Sequence, residues 1–162
     1  AMEVVPRLGQ EYGDTTGRYY GLLDGYRLED AQFVFVGLGS AMGTVRVAVD
    51  ELRDQGYPAG MLRIRTFRPF PAAAVAQALK GKRVVAVLDR SLSFGAQGGP
   101  VFLEVCASLL THGLDPRIVS YIYGLGGRDT IPAQFHGVFQ EMLDIDKKGV
   151  AQPVIRYLGI RD

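Results

Sequence analysis

Cysteine is nearly absent from this chain: Cys106 is the single one among 162 residues, beside two histidines and no tryptophan. One thiol excludes an internal disulfide, and one cysteine with two histidines is too few for an iron–sulfur cluster or a full structural zinc site. Cys106 falls on the apolar side of a helical pattern and reads as a buried, inert thiol. Excess charge is missing too. Eighteen Lys and Arg against 17 Asp and Glu leave a net charge of +1, which gives no electrostatic reason to invoke nucleic acid or an anionic membrane. No run of about 18 apolar residues is present to span a bilayer, and the start carries no basic-then-apolar signal pattern. The expectation is a cytoplasmic protein. Ala1 ahead of Met2 reads as vector-derived.

Glycine, by contrast, is plentiful at 21 residues, and its placing is regular. Apolar runs of strand length lead into glycine loops and then into helical patterns. Gln32–Leu38 is a buried strand followed by a helix from about Thr44 to Gln55, with Gly56 at its C-terminus. Met61–Phe67 is a second strand, broken by Arg68-Pro69-Phe70-Pro71, and Pro71 suits the first turn of a helix reaching Gly81. Arg83–Leu88 is a β-branched strand that ends in Asp89-Arg90-Ser91-Leu92-Ser93-Phe94-Gly95-Ala96-Gln97-Gly98-Gly99. A helix then runs from Pro100 to about His112. Arg117–Tyr123 is a further strand, Gly124–Asp129 its loop, and Thr130 the N-cap of a helix from about Ile131 to Asp144. Arg18–Leu23 reads as a short edge strand before the turn Asp24-Gly25.

Strands alternating with helices of about ten residues predict right-handed βαβ crossovers and a mostly parallel sheet covered on both faces. The α/β domain is expected over 18–145. Residues 1–17 lack a clear period and read as a linker or arm, with Tyr12, Tyr19, Tyr20 and Tyr26 clustered in and after it. Residues 146–162 read as a C-terminal arm, opening with a turn at Asp146–Gly149, in which Val154–Leu158 either pairs as a strand or packs.

The three glycine loops should lie together at the C-terminal edge of the sheet, where open α/β sheets carry their sites. Gly37-x-Gly39-x-x-x-Gly43 resembles a dinucleotide fingerprint imperfectly: Met42 takes the third glycine's place, and no acid closes the next strand to hold a ribose. Gly39, Ser40, Gly43, Gly127 and Arg128 are the candidates for an anion site. Asp89-Arg90-Ser91 pairs acid and base at a strand end, which either fixes a loop or serves a site. No histidine is near enough in sequence to support a Ser–His–acid nucleophile. Arg128-Asp129 repeats the acid–base theme, as a loop clamp or a contact to phosphate or a subunit. Asp89, Arg90, Ser91, Phe94, Gly95, Arg128 and Asp129 are the candidate interface residues. Arg63, Arg65 and Arg68, interleaved with Phe67 and Phe70, form the densest positive patch and suit a subunit contact better than nucleic acid. No metal ligands and no catalytic residues are expected.

Three motifs in order, Thr66-Phe67-Arg68-Pro69-Phe70-Pro71, Val87-Leu88-Asp89-Arg90-Ser91 with Ser93-Phe94-Gly95 and Gly98-Gly99-Pro100, and Tyr121–Asp129, resemble the C-terminal domain of the alpha subunit of 2-oxoacid:ferredoxin oxidoreductases, of which pyruvate:ferredoxin oxidoreductase (pyruvate synthase) is the best-known type. The resemblance covers about Arg18 to Leu143. It implies a fold like the transketolase C-terminal domain, three α/β/α layers around a five-stranded sheet with one antiparallel strand, Arg18–Leu23. It implies an enzyme that uses thiamine diphosphate and Mg2+ to decarboxylate a 2-oxoacid, passes electrons through iron–sulfur clusters to ferredoxin or flavodoxin, and hands the acyl group to coenzyme A. It implies as partners the other domain of the alpha subunit and beta, gamma and delta type subunits, which hold those cofactors. This domain is then expected to be structural and silent alone. The alternative is a free-standing nucleotide- or coenzyme A-binding module.

Overall fold

The computed structural model describes residues 1–160. Helix α1 (Val4–Thr16) precedes strand β1 (Leu23–Tyr26). Strand β2 (Phe33–Gly37), helix α2 (Ala41–Asp54), strand β3 (Ala59–Ile64) and helix α3 (Ala72–Leu79) follow. Then come β4 (Val84–Asp89), α4 (Pro100–Thr111), β5 (Arg117–Tyr123), a 3-10 turn at Leu125–Gly127, α5 (Pro132–Lys148) and β6 (Ile155–Leu158). One six-stranded sheet runs in the order β1-β3-β2-β4-β5-β6, with β1 antiparallel to β3 and every other pairing parallel.

The central strands β2 and β4 are buried along their whole length, as continuous apolar runs covered on both faces require. Alternate side chains feed two cores. Phe33 and Phe35 meet α2 and α5, Phe135 and Phe139 included, on one face. Val34, Val36, Val85 and Val87 meet α3 and α4 on the other. Residues up to Leu79 supply β1, β3 and β2, and residues from Val84 supply β4, β5 and β6. The β2–β4 ladder, Phe33↔Val84 to Gly37↔Leu88, is the strand pairing that joins the two halves.

The three-layer α/β/α architecture and the antiparallel edge strand agree with expectation, with five corrections. The sheet has six strands rather than five, because Ile155–Leu158 pairs with β5 from Ser120 to Tyr123. Glu141 on α5 accepts a hydrogen bond from the Tyr121 hydroxyl (2.7 Å) and pairs with Arg156, which locks β6 against the α5 face. The antiparallel strand is Leu23–Tyr26 rather than Arg18–Leu23; Arg53, forked on Asp30 (2.7 and 2.8 Å) and bonded to the Arg27 carbonyl (2.8 Å), pins the turn that follows it. Residues 4–16 form a helix, not an extended arm. Gly9 and Gly13 let it close on Tyr20 and Tyr19: a Cβ at Gly9 would lie 1.7 Å from the Tyr20 carbonyl oxygen. Helix α5 does not stop at Asp144. Met142 and Ile145 continue its buried stripe, Lys147 and Lys148 suit its C-terminal dipole, and Gly149 (φ +76°) ends it; its N-cap is Ile131, whose N–H bonds the Gln134 side chain, rather than Thr130. Lastly, the crossovers do not share one hand. The α2, α3 and α4 crossovers agree, but α5 returns on the α2 face while the chain moves the way β4–α4–β5 moved, so β5–α5–β6 has the opposite hand.

Candidate functional site

From β2 the chain turns one way, through α2 to β3; from β4 it turns the other, through α4 to β5. The crevice between the C-terminal ends of β2 and β4 is therefore the topological switch point, where backbones diverge and leave space. The loops after β2, β4 and β5 all meet at this edge.

Asp89 lies beneath that edge, 2% exposed. Gly99, which precedes α4, has no side chain to cap the helix. Asp89 supplies the cap from the neighbouring strand: Oδ1 accepts from Val101 N–H (2.9 Å) and Oδ2 from Phe102 N–H (3.0 Å). Gly99 packs so closely that a Cβ there would lie 2.3 Å from the Asp89 Cγ. Burial pushes the Asp89 carboxyl above the ordinary carboxylate range, and the two amide hydrogen bonds oppose that rise. Asp89 thus holds both ends of the 90–99 loop and is not paired with Arg90.

Two adjoining cavities open above it. One, about 300 Å³, lies between Leu38, Phe67, Leu88, Pro100 and Val101 and is mostly apolar. The other, about 390 Å³, lies between the first turn of α2 and the β5–α5 loop, lined by Thr44, Arg128, Asp129 and Thr130. Ser40, Arg90 and Tyr123 line both. Tyr123 is 7% exposed. Its phenol is pushed up by burial and drawn down by Arg90 beside it.

The remaining candidate residues distribute around these cavities. Gly39 (φ +71°) turns the chain from β2 into the site wall, whereas Gly43 sits inside α2. Ser91 lines the apolar cavity. Phe94 is fully exposed at the tip of the 90–99 loop, on a turn that Gly95 (φ +68°) completes. Gly127 lies in the 3-10 turn, and Arg128 clamps the tail by donating to the Gly159 carbonyl. Arg63, Arg65 and Arg68 are not a free positive patch. Arg63 and Arg65 share Asp24 (3.7 and 2.7 Å), and Arg68 pairs with Glu104 (2.7 Å). Cys106 is half-buried, and burial pushes its thiol up to about 11.

Sequence reasoning missed Tyr123, Phe67 and Thr44 as site residues. Tyr123 ends an apolar strand, and nothing in its neighbours shows that its ring reaches two cavities. Among the described residues no three His, Cys, Asp or Glu side chains converge, and a single cysteine does not fit an iron–sulfur ligand set.

Comparison with known proteins gives a consistent result. Residues 31–135 match the family described as pyruvate:ferredoxin oxidoreductase core domain II. The chain is 41% identical over 160 residues to the pyruvate synthase subunit PorA of Thermotoga maritima, covering 99% of this chain and 40% of that one. It is 39% identical over 163 residues to the ketoisovalerate oxidoreductase subunit VorA of Pyrococcus horikoshii, covering 99% and 41%. The chain therefore spans about two fifths of the length of these relatives. Among solved structures, a 2-oxoglutarate:ferredoxin oxidoreductase from Magnetococcus marinus with 2-oxoglutarate, coenzyme A and succinyl-CoA bound shares the fold. Its TM-score is 0.56 at 17% identity, over 85% of this chain and 22% of that one.

Proposed function

The chain belongs to the pyruvate:ferredoxin oxidoreductase core domain II family, and from that premise we propose that it works as the C-terminal domain of an alpha-type subunit in a 2-oxoacid:ferredoxin oxidoreductase. In this reading the whole enzyme acts on pyruvate, oxidatively decarboxylating it to an acyl-CoA. Thiamine diphosphate, Mg2+ and iron–sulfur clusters sit in other domains and subunits, ferredoxin or flavodoxin takes the electrons, and the assembly is cytoplasmic. The observation that carries the reading is the 41% identity with a pyruvate synthase subunit over 99% of this chain.

The domain's own work is to position its neighbours. Asp89 fixes the ends of the 90–99 loop and leaves Phe94 projecting into solvent, the arrangement of an aromatic anchor on a rigid base. We assign Arg90, Ser91, Phe94, Gly95, Arg128 and Asp129 to contacts with the neighbouring domain or subunit.

A chimaera tests this. The matching part of the Thermotoga maritima subunit is replaced by this chain and combined with the other subunits, and pyruvate- and coenzyme A-dependent reduction of ferredoxin is followed. Activity that is retained, and that falls with loss of assembly when Phe94 becomes Ser, supports the reading. A chimaera that does not assemble or reduce ferredoxin, or one whose assembly and activity are unchanged by Phe94→Ser, refutes it.

A further inference from the structure

Helix α1 is poorly supported by the rest of the domain. Among the described residues, its side-chain hydrogen bonds and ion pairs run within it or to Arg18 and Tyr19 just beyond it. Neither apolar core takes a side chain from it. A helix of 13 residues is marginal alone. Gly9 and Gly13 weaken this one further, and no side chain caps its N-terminus. It nevertheless carries an apolar stripe. Val4, Leu8 and Tyr12 follow at four-residue steps along one face and are 43%, 51% and 48% exposed. The Tyr12 ring meets that of Tyr20 (centroids 5.7 Å apart), and Tyr19 lies over Gly13, so both half-exposed tyrosines extend the stripe. Arg65 stacks on the Tyr20 ring at 4.8 Å and fixes the base of the patch to the body. Apolar surface gathered on one helix face, rather than scattered singly, marks a contact.

Residues 31–135 match the core domain and exclude α1, whereas the matches to the PorA and VorA subunits span 99% of this chain and take α1 in. The helix thus lies outside the core domain but inside the stretch shared with those subunits, and about three fifths of their length lies beyond that stretch. We propose that the α1 stripe docks onto that remaining part of the alpha-type subunit, in an apolar groove one helix wide. Val4, Leu8 and Tyr12 are the anchors of a helix-in-groove contact, and the exposed Arg7 and Glu11 stay on its wet rim. The contact supplies what α1 lacks by itself, burial for its stripe and so a stable helix. This surface is distinct from the 90–99 loop: the loop follows the central strand β4, whereas α1 leads into β1 at the edge of the sheet. The inference rests on the alpha-subunit reading above.

Hydrogen exchange tests it, comparing this chain with the chimaeric alpha-type subunit described above, each on its own. The amides of residues 4–16 should exchange about tenfold or more slowly in the chimaeric subunit than in the chain. Leu8→Lys should return them to the rate of the chain. Gln10→Lys places the same charge about 200° away around the helix and should leave the protection intact. Both variants should keep the thermal midpoint of the chain, because neither residue reaches a core. Sedimentation should show the chain alone to be a monomer. Equal exchange in chain and chimaeric subunit, or equal responses to Leu8→Lys and Gln10→Lys, overturns the proposal. So does a dimer of the chain alone that protects α1 and is dissolved by Leu8→Lys, since a second copy is then the occupant. The two readings fail separately: an active chimaera with α1 unprotected overturns the docking alone, and protected α1 in a chimaera that cannot reduce ferredoxin overturns the enzyme assignment and leaves the docking standing.

Discussion

Replacing Asp89 by Asn is the sharpest test of how this edge is built. The side chain keeps its size and one acceptor oxygen. That oxygen can still take Val101 or Phe102 N–H, but the amide NH2 then faces the other N–H, donor against donor. One buried backbone donor loses its partner, at about 1–3 kcal/mol. The favourable pairing of a carboxylate with the start of α4 is lost as well, about 0.5 kcal/mol, partly offset because a buried charge is removed. The net expectation is a loss of about 2 kcal/mol at neutral pH, a fall in Tm of about 4–8 °C for a chain of this length, read by differential scanning calorimetry. The deficit should also depend on pH in a defined direction. Burial raises the Asp89 pKa on folding, so the folded wild type binds its proton more tightly than the unfolded chain does. Its Asp89 contribution is therefore greatest below the ordinary value of about 3.9 and declines as pH rises through the raised one. The wild-type advantage over Asp89→Asn should shrink between those limits and stay flat above them. A Tm unchanged to within about 1 °C, or an advantage that grows with pH across that window, would refute the reasoning.

Three further outcomes follow from contacts described above. Gly9→Ala forces a Cβ into the Tyr20 carbonyl, so α1 should detach; because Gly13 is its single buried residue, hydrogen exchange should quicken over residues 4–20 while the global Tm holds. Glu141→Ala strips the partner from Arg156 and from the Tyr121 hydroxyl. It should cost about 1–3 kcal/mol and speed exchange at the β5–β6 amides first; uniform loss of protection would count against a local lock. Cys106, with its thiol near 11, should react with a thiol reagent at pH 8 about two orders of magnitude more slowly than free cysteine, from the thiolate fractions alone. A rate near that of free cysteine would contradict its placement.

The strands that were plain in the sequence are those whose burial is symmetric. Phe33–Gly37 and the β-branched run ending at Asp89 need no tertiary information, because a strand covered on both faces is apolar nearly throughout. Pro100 announced α4 by its own chemistry. What stayed hidden depends on distant partners. Gly9 and Gly13 look like helix breakers until Tyr19 and Tyr20 fold over them. Asp89 sits 12 and 13 residues from the amides it caps, so its spacing reads as an acid in a loop rather than as the cap of a helix. β6 is four residues held by an ion pair to α5, and no periodicity can develop over that length. The site walls were legible as glycine loops; Tyr123, which links the two cavities, was legible as a core residue only.

The division of the sheet into two sequence-contiguous halves has a consequence for how the molecule can be taken apart. Cutting the chain at Lys80–Gly81, both exposed and between α3 and β4, would separate it along one strand ladder and the α2–α5 and α3–α4 contacts that flank it, with each fragment keeping three strands and exposing one edge of the β2–β4 seam. The crevice exists only where the fragments rejoin. The crevice would thus return in proportion to complementation, and the domain would behave as a two-piece sensor of its own assembly.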